Sequence, residues 1–442
     1  MSSMKYHLIT YGCQMNTADS EEMAQPLRER GFLATASLHE ADIVMMNTCT
    51  VREQAEHRAD SNIGRLRVWK NQNPNRILIV AGCAASRWGD SIQKKYPFID
   101  LVSPATRIEE FPDAVAKVLK DRWDWEGEVD VAFSGEGKSD GAKEGEKSSL
   151  FHSFTPSLTP SPSSFLFGDD RTAYVTIMRG CNYSCSYCIV PQVRGREKYR
   201  PMPDILREIR TKVAEGYREV MLLGQTVNSY YYRTADEALT SDYALTADYA
   251  STAEISDFKA SSDSKASSAL KASSAVYDFS DLLRAVSAVD GVDRIRFMSP
   301  HPRHMKDRVI EAMAESSKVA RHIHLPVQSG SDRLLGTMKR LYSRAEYLAI
   351  VKKLRAAIPG ILITTDIIVG YPGETTEDLE GTLSLMRDVR FDGLFAFKYS
   401  PRPGTASADL ADDVPDQTKE DRLQQVLALN TEIKNTITEV SA

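Results

Sequence analysis

Three cysteines lie within eight residues in the stretch "MRGCNYSCSYCIVPQVRGR", at Cys181, Cys185 and Cys188, here called the tight trio. Thiolates ligate zinc or the irons of iron–sulfur clusters. A structural zinc site takes four nitrogen or sulfur ligands, and the first cysteine or histidine downstream of the trio is His301. Three thiolates at the spacing C-x3-C-x2-C suit a [4Fe–4S] cube whose fourth iron stays open to a non-protein ligand. The spacing therefore favours a reactive cluster over a zinc site or unligated thiols.

The other three cysteines each follow a short apolar run, in "KYHLITYGC", "ADIVMMNTC" and "NRILIVAGC". They are Cys13, Cys49 and Cys83, here called the N-terminal trio. Helical stretches separate these runs, and the first, "TADSEEMAQPLRERG", is expected to begin at an N-cap Thr17 and to stop at Gly31. Nearly continuous apolar strands between helices predict a parallel sheet covered on both faces. Because open α/β sheets bind ligands at the carboxyl ends of their strands, we expect this trio to converge on a second site with an open iron.

Strand and helix signals alternate again from "AYVTIMRG" to "GLFAFKYSPRPG", through six strand–helix steps. Six steps exceed half of an open nucleotide-binding fold and fall short of a complete eight-stranded barrel. The expected fold class is α/β, with an N-terminal parallel α/β sheet domain at 1–123 and a partial (β/α)6 barrel at 168–410. The strand ends that would form the mouth of this barrel carry Cys181, Gly224, Gln225, Gln328 and Ser329.

Two segments differ in composition from the parts predicted to fold. Residues 124–167 and about 233–276 are rich in Gly, Ser, Pro or charge, and the second holds the near-repeats "ALTSDYALTADYASTA" and "KASSDSKASSALKASSA". The first is interpreted as a low-complexity linker and the second as a low-complexity insertion in the barrel domain. Residues 411–442 are expected to form a C-terminal helical tail.

The chain has 442 residues, of which 42% are hydrophobic and 26% charged, as in a globular protein of two or three domains. No apolar stretch approaches the roughly 20 residues of a membrane helix, and the first residues show no leader-peptide pattern. A cytoplasmic location without a membrane partner is therefore expected. In that reducing compartment, cysteines more often bind metal or react than form disulfides. The net charge of −6 neither indicates nor excludes nucleic-acid binding, which depends on local patches.

A C-x3-C-x2-C loop after the first strand of a partial barrel resembles the radical S-adenosylmethionine (SAM) enzymes. The resemblance implies that the open iron chelates the amino and carboxylate groups of SAM. One electron from the cluster would then release a 5′-deoxyadenosyl radical, which removes a hydrogen atom from an unactivated carbon. The cofactor-binding residues that the resemblance implies are Tyr187 near the adenine, Gly224 and Gln225 near the methionine amino group, and Gln328, Ser329 and Asp366 on later strands. Loop packing for Tyr187 and a simple turn for "GYPGE" are the alternatives.

The N-terminal motifs narrow the resemblance further. "YGCQMN", "NTCTVR" and "AGC", followed by the tight trio, resemble the methylthiotransferases. "GCQMN", "CIVPQVRGRE", "HLPVQSGSD" and "FAFKYSPRPGT" are most similar to the branch that acts on tRNA adenosine 37 bearing an N6-isopentenyl group. The resemblance covers about residues 4–122, 170–230 and 277–435. Members of this family normally end in a small β-barrel that grips tRNA, and the chain stops at "LALNTEIKNTITEVSA", before any such strands.

What this resemblance implies is a complete reaction system. It implies two [4Fe–4S] clusters, with the N-terminal trio holding the auxiliary cluster and the tight trio holding the radical-SAM cluster. SAM would serve both as methyl donor and as radical source, and a methylthio group would be added to carbon 2 of the adenine. The implied partners are a tRNA anticodon stem-loop and an electron donor such as flavodoxin or ferredoxin. The source of the inserted sulfur does not follow from the sequence.

A basic run follows the tight trio, with Arg194, Arg196, Lys198 and Arg200 close together. Such residues at the barrel mouth would contact RNA phosphates, since neutralising phosphates supplies most nucleic-acid affinity. The alternative is a solvated basic turn, because surface charge runs are common. The histidines at 301, 322 and 324 are interpreted as structural rather than as ligands.

Three other functions remain open from the sequence. The same chemistry could act on N6-threonylcarbamoyladenosine in tRNA or on an aspartate of a ribosomal protein. A protein of another class, an iron–sulfur electron-transfer protein, would also use cysteine clusters. An electron carrier does not need a strand–helix barrel with polar strand ends, so the enzyme is the leading hypothesis.

Overall fold

The computed structural model describes residues 4–51, 53–125, 172–234 and 275–441. Except for their ends, the predicted linker at 124–167 and the predicted insertion at 233–276 lie outside the described residues. Elements are numbered below in chain order. Within the described ranges, no helix is both long enough and apolar enough to cross a bilayer.

The N-terminal domain is a five-stranded parallel sheet with the strand order β2-β1-β3-β4-β5. Its strands are β1 (Lys5–Thr10), β2 (Leu33–Ala34), β3 (Ile43–Thr48), β4 (Ile77–Gly82) and β5 (Leu101–Pro104). Its helices are α1 (Gln14–Glu29), α2 (Glu53–Gln72), α3 (Cys83–Trp88), α4 (Asp90–Lys95) and α5 (Phe111–Trp123). Every residue of β3 and β4 is buried, as predicted for strands covered on both faces.

Helices cover both faces of this sheet because side chains alternate along each strand. One face of β3, with Ile43 and Met45, packs in a core formed with α1 and α5. The opposite face, with Val44 and Met46, packs in a second core formed with α2. The sheet is therefore the middle layer of three, and its strand ends alone are free to form a site.

Helix α1 begins earlier than the sequence predicted. The backbone amides of Asn16 and Thr17 donate to the carbonyl oxygen of Cys13 over 2.9 and 3.2 Å, so the first helical turn already forms at the cysteine. Cys13 is the N-cap residue, and the prediction of a cap at Thr17 was wrong. Gly31 follows the helix end at φ +79°, as predicted for a stop signal.

The second domain contains six parallel strands in chain order, which confirms the predicted partial barrel. Its two groups of strands pair in the orders β6-β9-β12 and β13-β14-β15. They are β6 (Thr172–Thr176), β9 (Glu219–Leu223), β12 (Arg294–Phe297), β13 (His322–His324), β14 (Leu362–Val369) and β15 (Gly393–Lys398). A parallel bridge joins Ile295 of β12 to Val319, which lies three residues before β13.

Helices follow these strands as the sequence pattern predicted. The helices that follow the six strands in turn are α7 (Met202–Ala214), α8 (Phe279–Ser287), α9 (Asp307–Glu315), α11 (Arg344–Ala357), α12 (Thr376–Val389) and α13 (Asp416–Ser441). Two short helices, α6 (Val190–Arg194) and α10 (Asp332–Thr337), lie in the loops after β6 and β13. The last helix packs on the barrel, since Val426 and Ile433 belong to its core and Arg422 pairs with Glu374 over 2.8 Å.

Two small antiparallel pairs close loops of this domain. β7 (Met178–Arg179) pairs with β8 (Lys198–Tyr199) and closes the loop that carries the tight trio. β10 (Tyr231–Arg233) pairs with β11 (Val276–Asp278), so the chain leaves for the predicted insertion and returns from it at one place.

Helix α1 also contacts the second domain. Its residues Met15 and Ala18 pack with Met221 and Leu223 of β9. The intervening residues of β9 belong instead to the core under the outer helices. The N-terminal domain therefore covers part of the inner face of the barrel, which brings the strand ends of the two domains together.

Candidate active site

The N-terminal trio lies at the carboxyl ends of three adjacent strands. Cys13 follows β1 and caps α1, Cys49 follows β3, and Cys83 is the first residue of α3 directly after β4. Gly12 has φ +125°, and a Cβ built there would lie 2.6 Å from Cys49 Cβ and 3.0 Å from Cys49 Sγ. Only glycine permits this approach, which places the Cys49 sulfur against the residue next to Cys13. The predicted convergence at one sheet edge is present.

Buried amides hold these strand ends together. Asn16 Nδ2 donates to the carbonyl oxygen of Thr48 over 2.9 Å, and Asn47 Nδ2 donates to the carbonyl oxygen of Asn16 over 2.8 Å. Asn16 and Asn47 are wholly buried, so each unmade bond would carry a desolvation cost. Asn16 Oδ1 also lies 3.5 Å from Cys13 Sγ. The polar network therefore fixes the loop that presents Cys13.

The tight trio lies in the loop closed by β7 and β8. The Cys181 amide donates to the carbonyl oxygen of Gly195 over 3.1 Å, and the Cys188 amide donates to that of Cys185 over 3.0 Å. Cys181 Sγ lies 3.3 Å from Thr226 Oγ1, at the end of β9. Bonds within the loop and to the next strand end therefore fix the positions of these thiols.

Burial makes three of the cysteine thiols poor acids. It raises the pKa of Cys83 and of Cys188 to about 12, and it raises the pKa of Cys181 as well. A buried thiolate needs a positive partner, which the irons of a cluster supply. Among the described residues, no three His, Cys, Asp or Glu side chains are arranged to hold a single metal ion. The all-thiol donor sets instead suit iron–sulfur clusters.

Helix α6 connects the two trios. It begins two residues after Cys188, and its residue Val193 packs with Ile189 and with Cys83 of the N-terminal trio. At its end, Arg194 Nε donates to Cys83 Sγ over 3.1 Å, and Arg194 Nη2 donates to Asp19 Oδ2 over 2.8 Å. The two cysteine sites therefore share one rigid element.

The expected phosphate contact through Arg194 is wrong. Its side chain is buried against the N-terminal domain, and the Asp19 carboxylate neutralises it. Arg200 likewise donates to Glu208 over 2.6 Å. Arg196 and Lys198 are exposed. Lys198 Nζ lies 2.7 Å from Glu109 Oε2 in a solvent-exposed ion pair. Of the predicted RNA-binding residues, only Arg196 and Lys198 face the solvent.

Asp19 is the centre of this interdomain contact. It is buried and pairs with both Arg194 and Arg179. Burial alone would raise the pKa of Asp19, but the two guanidinium groups outweigh it and hold the pKa below its ordinary value. The carboxylate is therefore charged at neutral pH and joins the two domains.

Several predicted cofactor residues lie around the tight trio. Tyr187 packs beside Tyr371 and Tyr399, so the loop-packing interpretation of this ring also has support. Gly224 lies at the end of β9, where a Cβ would come within 2.5 Å of Met178 Cγ. The next residue, Gln225, has a buried Oε1 with no hydrogen-bond partner in the described part of the chain. This orphaned acceptor is suited to a ligand donor such as an amino group.

Two of the predicted cofactor residues, Gln328 and Ser329, lie in the loop after β13. Gln328 adopts φ +73°, a strained conformation for a non-glycine residue, and its amide donates to the carbonyl oxygen of Asp366 over 2.9 Å. Ser329 is wholly buried, with its hydroxyl 3.3 Å from Thr382 Oγ1. That hydroxyl is used inside the fold, and the cofactor role of Ser329 stays a prediction.

Asp366 lies on the inner side of β14, and two histidines of the neighbouring strand β13 lie close by. Asp366 Oδ2 is 3.3 Å from His324 Nε2, and Thr364 Oγ1 bonds both His322 and His324, over 3.2 and 3.0 Å. The contacts of these two histidines agree with the structural role interpreted from the sequence. Asp366 is partly exposed, so one side of its carboxylate remains accessible.

Sequence reasoning missed two residues beside the tight trio and misjudged a third residue nearby. Arg340 Nη1 donates to Cys185 Sγ over 3.4 Å, and Thr226 contacts Cys181. His301 was interpreted as a satisfied structural histidine, but its buried Nε2 has no partner among the described residues. Its ring stacks on Tyr183 with centroids 4.3 Å apart, and burial lowers the His301 pKa to about 2. Of these residues, only Thr226 had an indication in the local sequence, since it directly follows the predicted cofactor residue Gln225.

Comparison with known proteins agrees with this architecture. Residues 5–104 match the family described as Uncharacterized protein family UPF0004, and residues 175–386 match the Radical SAM superfamily. Fold and site therefore define a radical SAM enzyme with a second cysteine-bearing domain. SAM and [4Fe–4S] clusters are the cofactors of this class, and the thiol sets and the orphaned Gln225 acceptor fit them.

Relatives specify the family. The chain is 42% identical over 428 residues to the tRNA-2-methylthio-N(6)-dimethylallyladenosine synthase of Sorangium cellulosum (strain So ce56), covering 96% of this chain and 76% of that relative. It is 39% identical over 420 residues to the synthase of the same name from Pseudomonas syringae pv. syringae (strain B728a), covering 95% and 81%. The chain belongs to the family of tRNA-2-methylthio-N(6)-dimethylallyladenosine synthases, which confirms the resemblance inferred from its motifs.

A solved structure supports the fold alone. The radical S-adenosylmethionine methyltransferase TsrM from Kitasatospora setae superposes on 92% of this chain and 75% of its own with a TM-score of 0.57. The two sequences are 16% identical, so the similarity concerns architecture rather than substrate.

Proposed function

We propose that this enzyme adds a methylthio group to carbon 2 of N6-isopentenyladenosine at position 37 of tRNA. The observation that carries the proposal is the junction of two three-cysteine sites through α6, where Cys83 packs on Val193 of the helix that starts beside Cys188. A transfer of sulfur to a C–H bond needs a radical source and a sulfur carrier side by side. The names of the relatives support this same reaction.

The two trios divide the work in this proposal. Cys181, Cys185 and Cys188 would hold the radical-SAM cluster, and Cys13, Cys49 and Cys83 the auxiliary cluster. When bound, SAM at such a cluster supplies the radical source and, in a second equivalent, the methyl group. The residues proposed to position SAM are Tyr187, Gly224, Gln225, Gln328 and Asp366. Ser329, whose hydroxyl contacts Thr382 within the fold, is the remaining member of this proposed set.

The chain itself contributes orientation and exclusion of water. Helix α1 covers the inner face of β9 through Met15 and Ala18, which closes part of the barrel lumen. The Gln225 Oε1 acceptor lies next to Thr226, which contacts Cys181. A ligand amino group bonded by Gln225 would therefore be held beside the tight trio, out of bulk water.

The RNA would approach the mouth between the domains. Its target base must leave the anticodon-loop stack, which costs a few kcal/mol in a single-stranded loop. Arg196 and Lys198 are exposed next to the tight-trio loop and are proposed to bind the flanking phosphates. We further propose a cytoplasmic location for the enzyme and a flavodoxin or ferredoxin as its electron donor.

A pair of anticodon stem-loops tests the substrate. One carries N6-isopentenyladenosine and the other plain adenosine, and products are measured by nucleoside mass spectrometry with SAM, sulfide and reductant. We expect methylthiolation of the isopentenyl RNA only, and none by the matched Cys188→Ala variant. Equal turnover of both RNAs would contradict the isopentenyl assignment. Turnover only of a threonylcarbamoyladenosine stem-loop, or of a ribosomal-protein aspartate, would move the enzyme to another branch. Turnover of none of these substrates would contradict the proposed reaction.

A further inference from the structure

Each trio has one buried arginine beside it, but their electrostatic surroundings differ. Arg194 contacts Cys83 and forms an ion pair with Asp19. Arg340 contacts Cys185, and no Asp or Glu in the described part of the chain forms an ion pair with it. Its other acceptors are neutral. Arg340 is 6% exposed, so this is a buried cation without a protein anion.

The contacts of Arg340 engage each of its three nitrogens and leave its charge uncompensated. Nη1 donates to Cys185 Sγ over 3.4 Å and to Tyr187 Oη over 3.3 Å, Nη2 to the carbonyl oxygen of Pro326 over 3.1 Å, and Nε to Tyr342 Oη over 3.0 Å. Its guanidinium also lies 5.3 Å from the centre of the Tyr342 ring. A buried charge is costly unless a partner of opposite sign occupies the same site. The site is therefore built for an anion beside Cys185.

The backbone around Arg340 is held in an unfavourable conformation to reach this position. Lys339 has φ +57° and Leu341 has φ +59°, and both are non-glycine residues in the left-handed region. Leu341 is also an exposed apolar side chain, so packing of its own side chain does not explain the conformation. Arg303 Nη1 fixes the loop by donating to the carbonyl oxygen of Leu341 over 3.0 Å. Strain of this kind persists where the surrounding structure requires one particular geometry.

We propose that Arg340 is the counter-charge of the cluster held by the tight trio and raises its reduction potential. This inference rests on the proposed function, because it takes the tight trio to bind a [4Fe–4S] cluster. Three thiolates make such a cluster anionic, and one further electron from an external one-electron reductant makes it more anionic without breaking a bond. A fixed cation bonded to a ligand sulfur favours the reduced form. Arg340 is thus a positioning residue that acts through Cys185.

The test measures the potential of this cluster alone. The parent is the full chain with Cys13→Ala, Cys49→Ala and Cys83→Ala, which leaves only the tight trio to bind iron. The cluster is titrated with a chemical one-electron reductant and followed by electron paramagnetic resonance, without SAM or RNA. Arg340→Gln removes the charge and keeps hydrogen-bonding groups, Arg340→Lys keeps the charge, and Arg194→Gln is a matched control that removes a buried but compensated arginine.

We expect the cluster of Arg340→Gln to have a lower midpoint potential than that of the parent. At the parent's midpoint potential, the reduced fraction of the variant's cluster should therefore be well below half. Arg340→Lys and Arg194→Gln should stay near the parent. An unchanged midpoint in Arg340→Gln, or an equal shift in Arg194→Gln, overturns the proposal. If Arg340→Gln loses its iron, Arg340→Lys decides: parental iron and midpoint support a role of charge, and loss of iron in both overturns it. A parent chain that binds no iron overturns the proposed function as well, whereas an inactive but iron-loaded parent does not.

Discussion

Arg194 Nε donates a hydrogen bond to Cys83 Sγ over 3.1 Å, across the boundary between the two domains. The arginine belongs to the helix that follows the tight trio, and the cysteine belongs to the N-terminal trio. A thiol bonded in this way is held at a fixed distance from the other cysteine site. The contact therefore makes the relative position of the two sites a property of the folded chain rather than of its substrate.

Iron content should report two independent sites. Anaerobic reconstitution of the full chain should give about eight irons, and alanine replacement of either trio should lower this to about four, since each trio is expected to hold one [4Fe–4S] cluster. Iron assay and visible absorption measure the outcome. A single tightly bound zinc without visible absorption would contradict the cluster assignment.

Mutations in the two trios should abolish different activities. Cys188→Ala should abolish reductive cleavage of SAM, because it removes a ligand of the cluster proposed to bind SAM. Cys83→Ala should leave this cleavage running and stop methylthiolation of the RNA. Chromatography of 5′-deoxyadenosine and mass spectrometry of the RNA measure the two activities. Equal loss of both activities in both variants would show that the proposed division is wrong.

The Asp19 ion pairs should make the domain contact sensitive to acid. Because the pKa of Asp19 is held below its ordinary value of 3.8, its contribution to stability is fully present above pH 3.8 and is lost as the pH falls through the lowered pKa. Asp19→Asn leaves Arg179 and Arg194 without their shared carboxylate and should cost about 3–5 kcal/mol at neutral pH. Denaturant unfolding of the metal-free chain measures both quantities.

The difference between wild type and Asp19→Asn should shrink only below about pH 4. Lys353→Ala is a matched control, since it breaks an exposed pair with Asp307 and should change stability by less than about 1 kcal/mol. A difference that is the same at pH 3 and pH 7 would contradict the role of the Asp19 charge.

The insertion in the barrel domain should be removable. The amide of Thr234 donates to the carbonyl oxygen of Ala275 over 3.1 Å, so the chain ends on either side already lie together. Replacing 235–274 with a short Gly/Ser link should change the free energy of unfolding by less than about 1 kcal/mol, because closure entropy varies slowly with loop length. Deleting 231–278 is the control and should be destabilising, since it removes buried Tyr232. A cluster-free product from the first deletion would show that 235–274 contributes to the fold.

The exposed basic residues should affect RNA binding only. Arg196→Ala with Lys198→Ala should weaken binding of the isopentenyl stem-loop and flatten its salt dependence by about one unit per lost phosphate contact. SAM cleavage without RNA should not change. Lys352→Ala with Lys353→Ala, exposed on the outer helix α11, is the matched control. A parallel salt dependence in both double variants would remove Arg196 and Lys198 from the RNA surface.

Local patterns in the sequence were sufficient for the elements and the cysteines. The apolar runs of β3 and β4 were predicted as strands because a strand covered on both faces is apolar throughout. Cys49 and Cys83 follow the ends of these two strands. The close spacing of Cys181, Cys185 and Cys188 predicts a cluster loop because ligands from one loop need no long-range contact to converge. The alternation of strands and helices likewise gave six barrel steps, since each step is local in the chain.

Tertiary structure alone decided how the remaining polar residues are used. Arg194 belongs to a basic run that suggested a surface, but the packing of the N-terminal domain buries it against Asp19. Ser329 lies in a polar motif, but the helix that packs on it takes its hydroxyl. Arg340 reaches Cys185 from 155 residues away in the chain. The sequence gives the charge and polarity of each residue. The partners of a residue depend on which distant segments pack against it, and no local sequence pattern encodes this packing.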